Sequence, residues 1–222
     1  HSASSAASDV YKRQEWYEHQ YCLIAWPCNK DLYGKIINKA RDEVANVINE
    51  IAKTEHVIVL SNKEDINEIQ NKTDPKSIDI VECKLDDSWM RDIAPIFYNE
   101  DEKLKSISFE FNGYGKYPDY LNDNKISKFI SNYLNIPTIT SDLVIEGGAI
   151  TYDDKKNLFS TKNVIFNKNR KQKHNSEYII KELKLLFDLN YIFLFENGLI
   201  EDDTDGHVCL LYTSDAADEA EC

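Results

Sequence analysis

Between Asp31 and Lys53 the apolar residues Ile36, Ile37, Ala40, Val44, Val47, Ile48 and Ile51 recur at the three-and-four spacing of one helix face, with Asn29 or Asp31 placed to cap the first turn. The run His56 to Leu60 follows directly and reads as a strand, and Ile78–Val81 as another. A second helical pattern covers about residues 122–133, with Ile126, Phe129, Ile130 and Tyr133 on one face, and leads through Pro137 into a strand at Leu143-Val144-Ile145. A third, about 176–186, leads into Tyr191-Ile192-Phe193-Leu194-Phe195. Alternating helices and strands predict an α/β fold.

Each helix-then-strand unit is followed by a loop carrying acids or a histidine: Trp89-Met90-Arg91-Asp92, then Glu146-Gly147-Gly148, then Asp202-Asp203-Thr204-Asp205-Gly206-His207. Such repetition assembles a site from distant stretches of chain when the loops gather at one end. An ordinary open α/β sheet would show the same periodicity. Glycine sharpens the picture, because the chain holds only seven and six of them (Gly113, Gly115, Gly147, Gly148, Gly198, Gly206) lie in or beside such loops. Their placement implies special backbone angles or close approach to another group.

Composition narrows the class. With 222 residues and 42% apolar content the chain can bury a substantial core as one globular domain. Apolar runs such as Val57-Ile58-Val59-Leu60 are far shorter than the roughly 20 residues that span a bilayer, so no membrane partner is expected. Residues 1–14 lack the apolar core of a secretory signal, and the five cysteines form no Cys-x-x-Cys pair, which together predict a cytoplasmic protein without a disulfide framework or structural zinc. The formal charge of −13 argues against nucleic acid as a partner and suits a small cationic one.

Both ends differ in texture from the Asn-, Lys-, Ile- and Tyr-rich middle. Residues 1–14 (HSASSAASDVYKRQ) and 209–222 (CLLYTSDAADEAEC) are rich in Ser and Ala and read as translated adaptor sequence, leaving a domain at 15–208.

The loops offer specific chemistry. In Asp86-Asp87-Ser88-Trp89-Met90-Arg91-Asp92 a planar cation could stack on Trp89 while Asp92 takes a two-pronged hydrogen bond from it; a buried tryptophan beside an Arg91–Asp92 surface pair fits the same residues. Glu146 ends a strand where two glycines free the backbone to turn, although Glu-Gly-Gly alone is an ordinary turn. Read as a calcium loop, the run from Glu201 fails, because Tyr212 falls where the bidentate glutamate belongs. His19, His56 and His174 have no paired ligand partners, so no metal is expected. A histidine set among carboxylates, as His207 is, suits proton transfer, since neighbouring negative charge keeps the imidazole protonated.

Taken together, Trp89-Met90-Arg91-Asp92, Glu146-Gly147-Gly148-Ala149 and Asp202-Asp203-Thr204-Asp205-Gly206-His207-Val208 resemble the agmatine deiminases, within the bacterial (Porphyromonas-type) peptidyl-arginine deiminase family. Glu15-Trp16-Tyr17-Glu18-His19 with Ala25-Trp26-Pro27 is similar to that family's opening, and Phe111-Asn112-Gly113-Tyr114-Gly115 to its Asn- and Gly-containing loop, so the resemblance spans 15–208. It implies part of a pentein-like, pseudo-symmetric propeller of five ββαβ units, needing no cofactor. Asp92 would grip a guanidinium group, Glu146 would complete the acidic site, and His207 would act as general acid and then general base. Trp89 would line the site, with Asp205 a weaker substrate-binding candidate. The implied reaction is hydrolysis of agmatine to N-carbamoylputrescine and ammonia through a cysteine thiouronium, in a full-length protein that could form homo-oligomers. Peptidyl-arginine is the competing substrate, and a non-catalytic binder of cationic ligands the competing role. Two family elements are missing: Cys209 stands where an aspartate is expected, and the nucleophilic cysteine would lie beyond the break.

Overall fold

The computed structural model describes residues 10–12, 20–100 and 103–210. Its strands, in chain order, are β1 (Val10–Lys12), β2 (Cys22–Ala25), β3 (Val57–Ser61), β4 (Ile78–Glu82), β5 (Ile96–Glu100), β6 (Lys103–Glu110), β7 (Thr138–Val144), β8 (Thr151–Tyr152), β9 (Asn157–Thr161) and β10 (Tyr191–Phe195). Its helices are α1 (Lys30–Tyr33), α2 (Ile37–Ile51), α3 (Ile66–Lys72), α4 (Met90–Ile93), α5 (Ile126–Tyr133), α6 (Lys162–Ile165) and α7 (Ser176–Leu186). Of the presumed adaptor segments, Val10–Lys12 forms β1 and Cys209 and Leu210 follow His207 in a helical turn; the rest, like Glu15–His19, lies outside the described residues.

The chain divides into two compact units. One, residues 20–90 with 119–126, holds a parallel sheet in the order β2-β3-β4. All five residues of the central strand β3 are buried, which explains the unbroken apolar run Val57–Leu60. Trp26, Ala45, Ile48, Val59 and Ile69 share its core, and full burial of an aliphatic chain there contributes about 2 kcal/mol.

The helix expected over 31–53 is divided. Asn29 caps α1 by accepting the Leu32 N–H, and Gly34, at φ +51°, ends it after one turn. α2 starts afresh at Ile37, and its buried residues are Arg41, Ala45 and Ile48, so Ile36 and Val47 fall on exposed surface. Arg41 can lie on the buried side because Pro27 O, Asp65 and Glu68 take its donors.

The other unit holds β1, residues 91–118 and residues 127–210. Here two ββαβ arrangements follow one another. β5 and β6 pair antiparallel, and β7 joins β6 in parallel after α5; β8 and β9 pair antiparallel, and β10 joins β9 in parallel after α7. Leu143, Ile150, Leu158 and Leu183, all fully buried, anchor the shared core. The strand expected at 143–145 is the end of β7, which starts at Thr138. Glu146 follows β7 and His207 comes after β10, so each of the two repeats carries one of these residues in the stretch beyond its last strand.

Candidate active site

Asp92, Glu146 and His207 are brought together within the second unit. His207 Nδ1 lies 3.7 Å from Asp92 Oδ1, and His207 Nε2 lies 3.6 Å from Glu146 Oε2. Their side chains are 8%, 1% and 2% exposed for Asp92, Glu146 and His207. Both separations exceed hydrogen-bonding range. Three buried atoms, Glu146 Oε1, Glu146 Oε2 and His207 Nε2, have no hydrogen-bond partner. Glu146 Oε1 faces the Arg170 guanidinium, so the gap that a ligand could fill lies at Glu146 Oε2 and His207 Nε2.

Asp92 sits in α4, a helical turn where a loop was expected. Rather than forming a surface pair with Arg91, it turns inward: Tyr114 donates its hydroxyl to Oδ2 at 2.7 Å and Gly148 its backbone N–H to Oδ1 at 2.9 Å. Each oxygen keeps a further lone pair for a ligand. Burial pushes the Asp92 pKa up, against the lowering pull of the His207 charge and of these two donors.

Gly148 owes its place to proximity rather than to backbone angle. A Cβ there would lie 2.6 Å from His207 Nδ1, 2.7 Å from Asp92 Oδ1 and 3.1 Å from Cys209 Sγ. The turn over Gly147–Ala149 needs no left-handed residue, so the glycine pair removes bulk where the acids and the imidazole converge.

The run 202–207 is shaped from within. Asp202 accepts the N–H groups of Thr204 and Gly206 and the Thr204 hydroxyl, and these bonds hold its pKa low against burial. Asp205, Gly206 and Glu201 all have positive φ. His207 emerges with its ring in the site. Burial opposes its charge, but interactions with Cys209, Glu146 and Asp92 prevail and push the pKa from 6.5 up to about 9. The imidazole is therefore protonated at neutral pH.

Asp205 is fully engaged inside the protein. Its Oδ2 takes Arg170 at 2.7 Å and Asn169 at 3.3 Å, and its Oδ1 lies 2.9 Å from Lys116 Nζ. Trp89 belongs to the other compact unit; it is 46% exposed, not buried, and its indole N–H donates to Asp87 at 2.8 Å. No group of three or more His, Cys, Asp or Glu among the described residues could hold a metal ion, and no helix among them is long and apolar enough to cross a membrane.

Two contributors escaped the sequence reading. Tyr114 has φ +57° between Gly113 and Gly115, also at positive φ, a costly posture for a tyrosine of about 1–2 kcal/mol that sets its hydroxyl on Asp92. Arg170 is fully buried, with Nε 2.7 Å from Glu146 Oε1. Neither atom is aligned for a hydrogen bond, so the contact is a charge pair. The Phe111–Gly115 loop gave a signal for the tyrosine, and nothing in the Lys- and Asn-rich run around Arg170 gave one for the arginine.

Two buried carboxylates and a protonated imidazole thus stand together on an α/β frame. The chain belongs to the Porphyromonas-type peptidyl-arginine deiminase family, whose sequence model matches residues 11–214. It is 30% identical over 209 residues to agmatine deiminase of Medicago truncatula, covering 87% of this chain and 56% of that protein. With agmatine deiminase of Stutzerimonas stutzeri it shares 29% over 205 residues, covering 89% of this chain and 56% of the relative. The chain thus spans little more than half the length of these relatives. A substrate-bound C. jejuni agmatine deiminase shares the fold at a TM-score of 0.81 and 24% identity, covering 94% of this chain and 62% of that one. Agmatine deiminase of Enterococcus faecalis gives 0.83 at 19%, covering 90% and 56%.

Proposed function

We propose that this chain provides the guanidinium-binding and proton-transfer half of an agmatine deiminase site, with the nucleophilic cysteine supplied by the part of the protein it does not span. The observation that carries the reading is the pair of buried atoms without hydrogen-bond partners, Glu146 Oε2 and His207 Nε2, beside the Asp92 carboxylate. A guanidinium offers planar, charged N–H donors to just such carboxylate oxygens.

The chemistry follows from the charges. Asp92 and Glu146 orient the substrate guanidinium and stabilise its charge while a thiolate attacks the central carbon, forming a C–S bond. His207, protonated at neutral pH, gives its proton to the departing nitrogen, and ammonia leaves as the C–N bond breaks. The neutral imidazole then takes a proton from water and the hydroxide adds to the thiouronium carbon; as the adduct collapses the C–S bond breaks, the thiolate returns, the hydroxyl proton passes to solvent, where it converts the released ammonia to ammonium, and N-carbamoylputrescine leaves. The two ββαβ repeats would be consecutive members of a five-unit propeller. Trp89, 46% exposed, offers a ring face on which a planar cation could stack, and Asp205 would act through Arg170 rather than on the substrate.

Calorimetric titration of the chain with agmatine and with putrescine, which lacks the guanidinium, tests the reading. Agmatine should bind and putrescine should not; equal affinity for both would remove the guanidinium from the account. A peptide with an internal arginine binding more tightly than agmatine would move the assignment to peptidyl-arginine.

A further inference from the structure

Arg170 touches three separate parts of the site. Its Nη1 donates to the Tyr114 carbonyl at 2.9 Å and to Asp205 Oδ2 at 2.7 Å, and its Nη2 donates to the Thr204 carbonyl at 2.6 Å. Nε faces Glu146 Oε1 at 2.7 Å, and the guanidinium carbon lies 5.7 Å from the centre of the Tyr114 ring.

The turn that carries it is itself fixed. The Asn112 side chain donates to the carbonyls of Asn169 and Arg170, both at 3.0 Å, and Gly115 packs so closely that a Cβ would stand 2.0 Å from the Asn169 carbonyl oxygen. Asn167 caps the turn by accepting the Asn169 N–H. A fully buried cation whose planar fork reaches three loops, at Tyr114, at Glu146 and at Thr204–Asp205, is well placed to set geometry.

We propose that Arg170 is the positioning residue of this site, occupying Glu146 Oε1 so that Oε2 is left towards His207 and the ligand, and tying the Tyr114 loop and the 202–207 run at fixed spacing. The inference rests on the guanidinium-site reading and deepens it. Glu146 would then sit between two guanidinium groups, the protein's own on one oxygen and the substrate's on the other, so one of its oxygens is unavailable to substrate. Arg170 does not touch the reacting atoms; it acts through Glu146, Tyr114 and the backbone of Thr204.

Arg170→Lys tests this, because an ammonium keeps the charge but cannot reach all these acceptors together. Three readouts are needed: urea unfolding, the titration of the His207 imidazole by NMR, and agmatine binding by calorimetry. In a variant that still unfolds cooperatively, Glu146 released from Nε turns towards the imidazolium, so the His207 pKa should rise by about half a unit or more. Agmatine affinity should fall about tenfold or more. A folded variant with an unchanged His207 titration and agmatine affinity within twofold would overturn the proposal. Should Arg170→Lys not fold, Asp205→Asn removes the outer anchor of the same guanidinium, and the same two readouts decide with smaller expected shifts. If the unaltered chain binds no agmatine, the functional reading fails, while the His207 titration still judges Arg170.

Discussion

Each unit of this protein buries a cluster of carboxylates, and the two clusters are finished differently. In the first, Asp123 accepts the backbone N–H groups of Asp86 and Asp87, Asp86 accepts those of Asn122 and Asp123, and Asp87 takes the Ser88 N–H and the Trp89 indole. In the second, both oxygens of Glu146 and one nitrogen of His207 lack a hydrogen bond. Burial of carboxylates alone therefore does not mark a candidate functional acid. What separates the clusters is satisfaction: one set of carboxylates ties loop backbone together, and the other leaves Glu146 Oε2 and His207 Nε2 facing each other at 3.6 Å without a hydrogen bond, at a cost in stability.

The largest expected effect is a pH dependence that sorts the two clusters by window. His207 has its pKa raised from 6.5 to about 9, so its stabilising contribution is complete below about pH 6.5 and is lost as pH rises through 9, a change of about 3 kcal/mol. Asp123, raised by burial from 3.8 to about 7, contributes most below 3.8 and loses that contribution as pH rises through 7. Urea unfolding across pH 4–10 should show both slopes. His207→Gln should flatten the upper one and Asp123→Asn the lower; a single variant flattening both would merge two clusters that the account keeps apart.

Next in size, Asp123→Ala strips acceptors from two backbone donors and should cost about 2 kcal/mol, measured by urea unfolding, while leaving agmatine affinity unchanged. Glu146→Gln should act the other way round on binding: agmatine affinity falls about tenfold or more by calorimetry, because a charge-assisted bond to the ligand becomes a neutral one. Equal binding losses in the two variants would erase the distinction between the clusters.

The contrast also explains what the amino-acid sequence made legible. Asp92, Glu146 and His207 stand in short motifs after strand-bearing units, and the structure converges them. α7 announced itself because period and burial coincide, and β10 because its run of apolar residues is unbroken, although the structure leaves Tyr191, Phe193 and Phe195 exposed along it. β6 and β9 were hidden, since Ser106, Ser108, Ser160 and Thr161 are buried there among the aliphatic residues and blur the alternation, and β6 also carries an irregular register near Ser108. Ser106 is tolerated inside because the Ser131 and Thr138 hydroxyls complete its hydrogen bonds. Arg170 was unreadable for a related reason: its neighbours look like solvated surface, and its burial depends on acceptors at 114, 146, 204 and 205 that only folding brings near.

Adding agmatine while following the His207 imidazole by NMR tests the central claim most directly. If the ligand's guanidinium enters between Asp92, Glu146 and His207, the imidazole resonances should shift on titration and the His207 pKa should fall from about 9, because a second cation now shares the same carboxylates. Imidazole resonances that stay put at saturating agmatine would contradict the account and leave this cluster without a role in binding.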